Sequence, residues 1–553
     1  MKIWGNRFMG ARLLLCLFAG HASLASAAEA SLESWIQAQT TRSLSFVFQA
    51  ISPSDGARGS VMASPSRNLP DYYFNWVRDS ALTMREVWNF RSFSPTQAHA
   101  TLIDYALFSR KLQLTQNRSG IANDLGLGEP KFEMSGAAYN QDWGRPQNDG
   151  PALRVLALLG LADDLMMTGQ QDFVYKNLYA AETPARTVIK ADLEFVSHHW
   201  RESSFDLWEE VKGDHFYTRL AQWRALNEGA IFANKMSDPD AAVFYNQQAT
   251  LIMASLDQFW STSKNYLIAT KNWVGGHDPS EKASLLDISI ILGVLHAGKA
   301  GSPFFVDDDR VIATMYELQQ AFDYQYAVNR DRKNEEGLEM GPGIGRYPED
   351  HYDGTSTNGL GNPWFLGTQA MAEYYLILWG QIKAHGSLVI TDRSRPFFES
   401  IVRENLSQRR LHAGDPTFAA VLQALQDRSD AFIRRAKFHT GEGGHQSEQF
   451  NRVHGQMQGA ADLTWSYASF LSLRRIREKN HDLFKIPKSV RWLPHDRDES
   501  LLSIRVYYLP ERRARSSSET SLHADLHPSD LDPIRFFLLL LRRFNPGFAV
   551  LRN

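Results

Sequence analysis

The sequence predicts an all-α fold of stacked helical hairpins, and three observations carry that expectation. About a dozen segments place apolar residues at helical spacing. These segments alternate between mostly apolar and amphipathic, as inner helices buried on both faces and outer helices buried on one would. No run of alternating strands and no Gly-rich nucleotide loop is present. A solenoid or a closed toroid would satisfy this pattern. No repeat of fixed period is visible, which counts against a simple solenoid.

In order, Ser31 to Ile51 reads as an amphipathic helix with Leu32, Trp35 and Ile36 on one side. Helices are then expected at Asp79–Phe90 and Thr96–Leu114, and at Gly150–Met167, whose almost wholly apolar run predicts a buried helix. Further ones follow at Ala185–His198, His215–Asn234, Ala241–Phe259, Ser284–Ala297 and Val311–Val328. The last are Trp364–Ala384, Arg395–Leu406, Thr417–Lys437 and Ala461–Lys479. Proline, glycine or Asp/Ser/Thr caps separate most of them.

The chain has 553 residues, with 59 basic against 62 acidic ones, so neither a nucleic-acid nor a membrane partner is implied. Aromatic residues make up 12%, which fits a large core and slightly favours a surface that stacks on sugar rings. Lys2, Arg7 and Arg12 precede the apolar run Leu13–Phe18, and Ala25-Ser-Ala27 follows. Residues 1–27 therefore read as a secretory signal peptide, with the mature chain starting near Ala28 and released outside the cell or into a periplasm. The single cysteine, Cys16, lies in that segment, so no disulfide or thiolate chemistry is expected after it. Sequons stand at Asn117 and Asn405.

The chemistry-bearing residues gather in the Gly/Pro/Asn-rich connections. The first such connection, Asp71–Ser80, puts an Arg78–Asp79 pair beside Tyr72 and Trp76; Asp79 or Ser80 could equally serve as a plain helix cap. Another, Gly126–Gly150, crowds Tyr139, Trp143, Arg145 and Asp149 together, or is a tight turn anchored by Trp143. In Phe205–Val211, Glu209 and Glu210 stand beside Leu207 and Trp208. A carboxyl against such apolar walls keeps its proton, as a general acid must; alone, the triplet equally fits a helix start or a solvated face. The stretch Gly345–Leu366 combines Arg346, Asp350, Tyr352 and Trp364. In Gly441–Phe450, glycines leave the backbone bare around Glu448, or form an exposed loop. No metal set emerges: His198 and His199 are adjacent, and His215, His445 and His454 lack a Cys or carboxylate framework. No cofactor is implied.

Taken together, the five connections resemble the glucoamylase family, glycoside hydrolase family 15, from about Asp71 to Arg475 and in the family's order. The resemblance implies an (α/α)6 barrel of six inner and six outer helices. It implies inverting exo-hydrolysis that releases β-D-glucose from α-1,4-glucans and, more slowly, from α-1,6 linkages. Glu209 matches the family's general acid and Glu448 its general base. Arg78 and Asp79 match the pair gripping the terminal glucose, lined by Tyr72 and Trp76, and Trp143 matches the stacking tryptophan. Leu207, Trp208, Glu210 and Arg346 match contacts around the first two sugar sites, with Asp350, Tyr352 and Trp364 as outer neighbours. The partner implied is an α-glucan, and a monomer is expected. Trehalose- or isomaltose-directed relatives of the barrel, or a glucan-binding protein without activity, are the competing readings.

A catalytic domain over residues 28–490 and an extension over 491–553 follow from the same reading. The extension, with its Arg512–Ser518 polar stretch and Phe536–Leu541 apolar run, is expected to be partly disordered, and too short for a starch-binding module of roughly 100 residues.

Overall fold

The computed structural model describes residues 31–484 and their side chains as far as residue 480. The expected signal segment (1–27), the extension (491–553) and both ends of the expected catalytic domain lie outside the described residues. Within them, twelve long helices form two concentric layers. The inner six are Val77–Asn89, Gly150–Met167, Phe216–Lys235, Ser289–Ala297, Phe365–His385 and Thr464–Phe484. Each packs against the next, and Thr464–Phe484 returns to Val77–Asn89, which closes the ring. Closure decides between the two architectures that helical periodicity left open: this is a toroid.

The outer layer comprises residues 31–50, Pro95–Gln113, Val188–His199, Pro239–Leu256, Asp309–Asp323 and Pro416–His439. Burial explains the division. Sixteen of the twenty residues of Phe216–Lys235 are buried, against five of the eighteen in Pro239–Leu256, which covers its outer side. Inner helices therefore carry buried polar residues as well as apolar ones, such as Arg219, Gln222, Arg224 and Glu228 on Phe216–Lys235.

The expected helix boundaries hold to within a few residues, and the larger departures have local causes. The helix expected from Ser284 starts at Ser289, because Leu285 stands at φ +57°, in the left-handed region a helix cannot contain. The helix expected to reach Leu406 stops at Val402, where Arg403 takes φ +59°. The run expected to reach Val328 ends at Asp323 and resumes as a 3-10 turn at Ala327–Arg330.

Periodicity missed the small strands. Ser204–Phe205, Val211–His215 and Thr270–Gly276 form a three-stranded antiparallel sheet, with Ser204 opposite Gly213 and Val211 opposite Gly276. Asn75–Trp76 pairs antiparallel with Lys131–Phe132. Both pairings stand before inner helices. Because every inner helix is entered after an outer one has run back, the six inner N-termini open at one end of the ring, and the connections expected to carry chemistry collect there.

Candidate active site

The turn between Ser204–Phe205 and Val211–His215 is built around Asp206. Its Oδ1 accepts from the backbone N–H of Glu210 (2.8 Å) and of Val211 (3.0 Å), while its carbonyl accepts from the N–H of Glu209. This tight turn forces Glu209 to φ +69°, a conformation a non-glycine residue adopts only when its surroundings impose it. Gly144 packs against the Glu209 carbonyl so closely that a Cβ there would lie 2.4 Å from the oxygen. The motif is thus neither a helix start nor a solvated face.

Glu209 and Glu210, adjacent in sequence, have separate environments. Glu209 is half-buried; its Oε1 accepts from the Trp76 indole N–H (2.6 Å) and the Gln147 amide (3.2 Å), with Arg78 Nη2 at 3.6 Å. Glu210 is buried. Lys282 Nζ lies 2.9 Å from its Oε2 and Arg346 Nη2 2.7 Å from its Oε1, and the Tyr347 hydroxyl donates to Oε2. Burial alone would raise the Glu210 carboxyl, but Arg346 and Lys282 outweigh it and hold it below the usual range. Lys282 also pairs with Asp206 (3.0 Å), which it holds at about 2 against the effect of burial.

Glu448 is fully buried. The Tyr72 hydroxyl donates to its Oε1 (3.1 Å), the Tyr352 hydroxyl to its Oε2 (3.2 Å), and the Ala460 N–H reaches Oε2 at 3.4 Å. Burial pushes this carboxyl up to about 8, against the pull of those donors and of Arg346. A Cβ on Gly459 would lie 2.3 Å from Glu448 Oε2, so Gly459, at φ +74°, is the glycine that the base position requires rather than those of the Gly441–Gly444 loop.

Two rings connect the carboxyls. Tyr72, bonded to Glu448, packs against Trp76 at 5.3 Å between centroids, and Trp76 is bonded to Glu209. Trp143 meets the other side of Trp76 edge-on at 5.9 Å. Arg78 Nη1 donates to Gln147 (2.8 Å) and Asp149 (3.0 Å), and its Nε lies 3.8 Å from Asp79. Burial pushes the Asp79 carboxyl up to about 6, although Arg78 opposes it. The buried donors Arg78 Nε, Trp143 Nε1 and Trp364 Nε1 have no hydrogen-bond partner in the protein. Buried donors are normally paired, so these mark where a polar ligand would complete the site.

Every expected site residue lies at this mouth, with two differences of placement. Tyr352, expected as an outer neighbour, contacts Glu448 directly. Trp208 packs on Trp364 at 5.5 Å between centroids and donates its N–H to Asp287 (3.0 Å), so the indole hydrogen-bonded to Glu209 is that of Trp76. Leu207 is buried beside it in the core, and Arg346 grips Asp350 with two bonds of 2.9 and 2.6 Å. Sequence reasoning missed Asp206, Lys282, Asp287, Gln147 and Tyr347. Asp206 lies within the Phe205–Val211 stretch, but its turn-forming role needs the fold; Lys282 sits in a connection that carries no sequence signal, and Asp287 within the helix expected from Ser284.

Elsewhere, His215 is buried and bonded to Ser204 and Thr270. Among the described residues, no group of three or more His, Cys, Asp or Glu is placed to hold a metal ion, and no helix is long and apolar enough to cross a membrane. Asn117 of the first sequon is buried, with its amide bonded to Thr115 and Gly126, whereas Asn405 is exposed. A cavity of about 680 Å³, lined by Trp260, Asp309, His385 and Arg393 among others, contains none of the site residues.

Carboxyls presented from two separate loops among indoles, at the open end of a helical toroid, are the layout of a glycoside hydrolase. The sequence profile of glycosyl hydrolases family 15 matches residues 41–475. Glucoamylase of Blastobotrys adeninivorans is 38% identical over 445 residues, 80% of this chain and 70% of the relative. The intracellular sporulation-specific glucoamylase of Saccharomyces cerevisiae is 34% identical, over 81% of this chain and 85% of its own. The solved glucoamylase of Saccharomycopsis fibuligera superposes with a TM-score of 0.72 at 32% identity, covering 82% of this chain and 96% of its own. The chain belongs to glycosyl hydrolases family 15 and has the family's (α/α)6 fold.

Proposed function

We propose that this chain is an exo-acting, inverting glucoamylase that releases β-D-glucose from the non-reducing ends of α-1,4-glucans and, more slowly, from α-1,6 linkages. The observation that carries the reading is the pair Glu209 and Glu448, held in different surroundings and joined through the Trp76–Tyr72 contact. Glu209 is the general acid: it protonates the glycosidic oxygen, and the C1–O electron pair leaves with that oxygen. Ionised Glu448 is the general base and removes a proton from the water that attacks the opposite face of C1. A carboxyl pushed up by burial is, once ionised, a stronger base than an exposed one.

Arg78 and Asp79 hold hydroxyls of the terminal glucose, with the unpaired Arg78 Nε available to one of them. Tyr72 and Trp76 wall that subsite and Trp143 stacks on the sugar. Leu207, Trp208, Glu210 and Arg346 serve the first two sugar positions, supported by Asp350, Tyr352 and Trp364. A site that takes up one terminal ring in this way would admit only a chain end, as exo-action requires.

Glucose release from maltose tests the acid: near-normal turnover in Glu209→Gln would reject its role. NMR of the first product tests inversion, since initial α-glucose would reject Glu448 as base. Turnover of maltose against isomaltose and trehalose separates this reading from those of the barrel's relatives. Residues 1–27 are proposed as an export signal, which the N-terminus of the exported protein would check. We further infer a catalytic domain over 28–490, an extension over 491–553, and a monomer. Limited proteolysis tests the boundary, and light scattering the mass.

A further inference from the structure

Lys131 stands opposite Trp76 in the two-residue strand pair before the first inner helix. Its side chain is 2% exposed, and its ammonium lies 3.7 Å from the ring centroid of Trp143, 4.1 Å from those of Phe74 and Tyr139, and 4.5 Å from that of Trp76. Among the described residues its ammonium makes no hydrogen bond or ion pair, and four aromatic rings surround it. A lysine is an odd choice for filling such a box, since burial opposes its charge and pushes the group down to about 8. A methionine would pack there without that penalty. The charges that face Lys131 are Glu209, whose field favours the ammonium most, then Asp71 and Glu133, with Arg145 opposing. Glu209 in turn is faced by Arg78 and Lys131, by the Asp79 carboxyl and by the Tyr72 and Tyr139 hydroxyls, and accepts from Trp76 and Gln147.

The same indole therefore has a cation over its face and the Glu209 carboxyl on its N–H. We propose that Lys131 is a positioning residue for the acid: it polarises the Trp76 N–H and steadies the negative charge left on Glu209 when its proton goes to the glycosidic oxygen. The proposal rests on Glu209 being that acid. As the C1–O bond breaks and its electron pair passes to the leaving oxygen, Glu209 becomes a carboxylate, and a cation behind Trp76 lowers the energy of that state more than of the neutral acid. The charge needs no proton exchange of its own during turnover.

The test is the pH profile of kcat on maltose for the unaltered enzyme, Lys131→Met and Lys131→Arg. Lys131→Met is expected to shift the alkaline limb up by about one pH unit and lower the plateau about three- to tenfold. Lys131→Arg, which keeps the charge, should leave the limb within about 0.3 unit of the original. A lower plateau with an unmoved limb in Lys131→Met would overturn the proposal and leave a packing role. Tryptophan emission of the unaltered protein between pH 6 and 10 gives a readout that needs no folded Met variant. A step near pH 8 that Lys131→Arg lacks is expected; emission already the same at pH 6 as at pH 10, and different from that of Lys131→Arg, would overturn the charged lysine. Glu209→Gln keeps the two ideas apart. If it is inactive while the Met variant's limb stays put, only the role of Lys131 falls; if it is active, the acid assignment falls first.

Discussion

The Trp76 indole N–H donates to Oε1 of Glu209 across 2.6 Å, so the residue just before the first inner helix holds a carboxyl from a turn more than a hundred positions later. Replacing Trp76 by Phe keeps the ring and removes the donor. Loss of one hydrogen bond to a charged group costs about 1.5–3 kcal/mol, so kcat on maltose should fall roughly 10- to 100-fold with little change in KM. A change confined to KM would mean that the indole only binds sugar.

Gly144 lets the Glu209 carbonyl approach its backbone, and a methyl group there would sit 2.4 Å from that oxygen. Gly144→Ala is expected to push the turn aside and cost at least tenfold in kcat while the far side of the barrel is untouched. Unchanged kcat would show that the turn has slack.

Glu448 supplies a pH-dependent stability test. Its carboxyl ordinarily titrates near 4.5, and burial raises it to about 8 in the folded chain. The folded state therefore holds a proton that the unfolded state has lost across that window, and Glu448 erodes stability as pH rises from about 4.5 to 8. Glu448→Gln removes this term. Relative to the unaltered enzyme it should gain stability between pH 5 and pH 8, by up to about 1.4 kcal/mol per pH unit, and lose hydrolysis. Melting temperatures of the two proteins across that range give the answer; a constant difference between them would contradict the raised carboxyl.

Lys282 pairs with Asp206 and Glu210 in a buried triad. Lys282→Met leaves buried Asp206 without its cation and Glu210 with Arg346 alone, and should destabilise the fold by about 3–5 kcal/mol at neutral pH. Because Asp206 is held at about 2 with Lys282 opposing its burial, the loss should shrink as the pH falls and the freed carboxyls protonate. Chemical denaturation at pH 4 and pH 7 measures both arms.

The helices were legible because burial writes a periodic signal. Gly150–Met167 was expected residue for residue, since its run is almost wholly apolar, as a helix buried on most of its surface is, and it is flanked by Asp149 and Gly169. The short strands were not, because Ser204–Phe205 and Asn75–Trp76 span two residues each and leave no alternation to read. The five loops were legible as concentrations of Arg, Asp, Trp and Tyr outside helical spacing. The amino-acid sequence by itself determined where the helices run and that the segments rich in Arg, Asp, Trp and Tyr sit between them.

Only the tertiary structure decided how those segments meet. Ring closure turned an open choice of hairpin stacks into a toroid and put six helix starts at one mouth. It placed Trp76, not Trp208, on the Glu209 carboxyl, and gave Glu210 to Lys282 and Arg346. It also buried Lys131 among four rings, which nothing in its local sequence announced. Local sequence sets helical period and turn chemistry, whereas the partner of a buried charge comes from residues far apart in the chain, and only the closed fold brings these together.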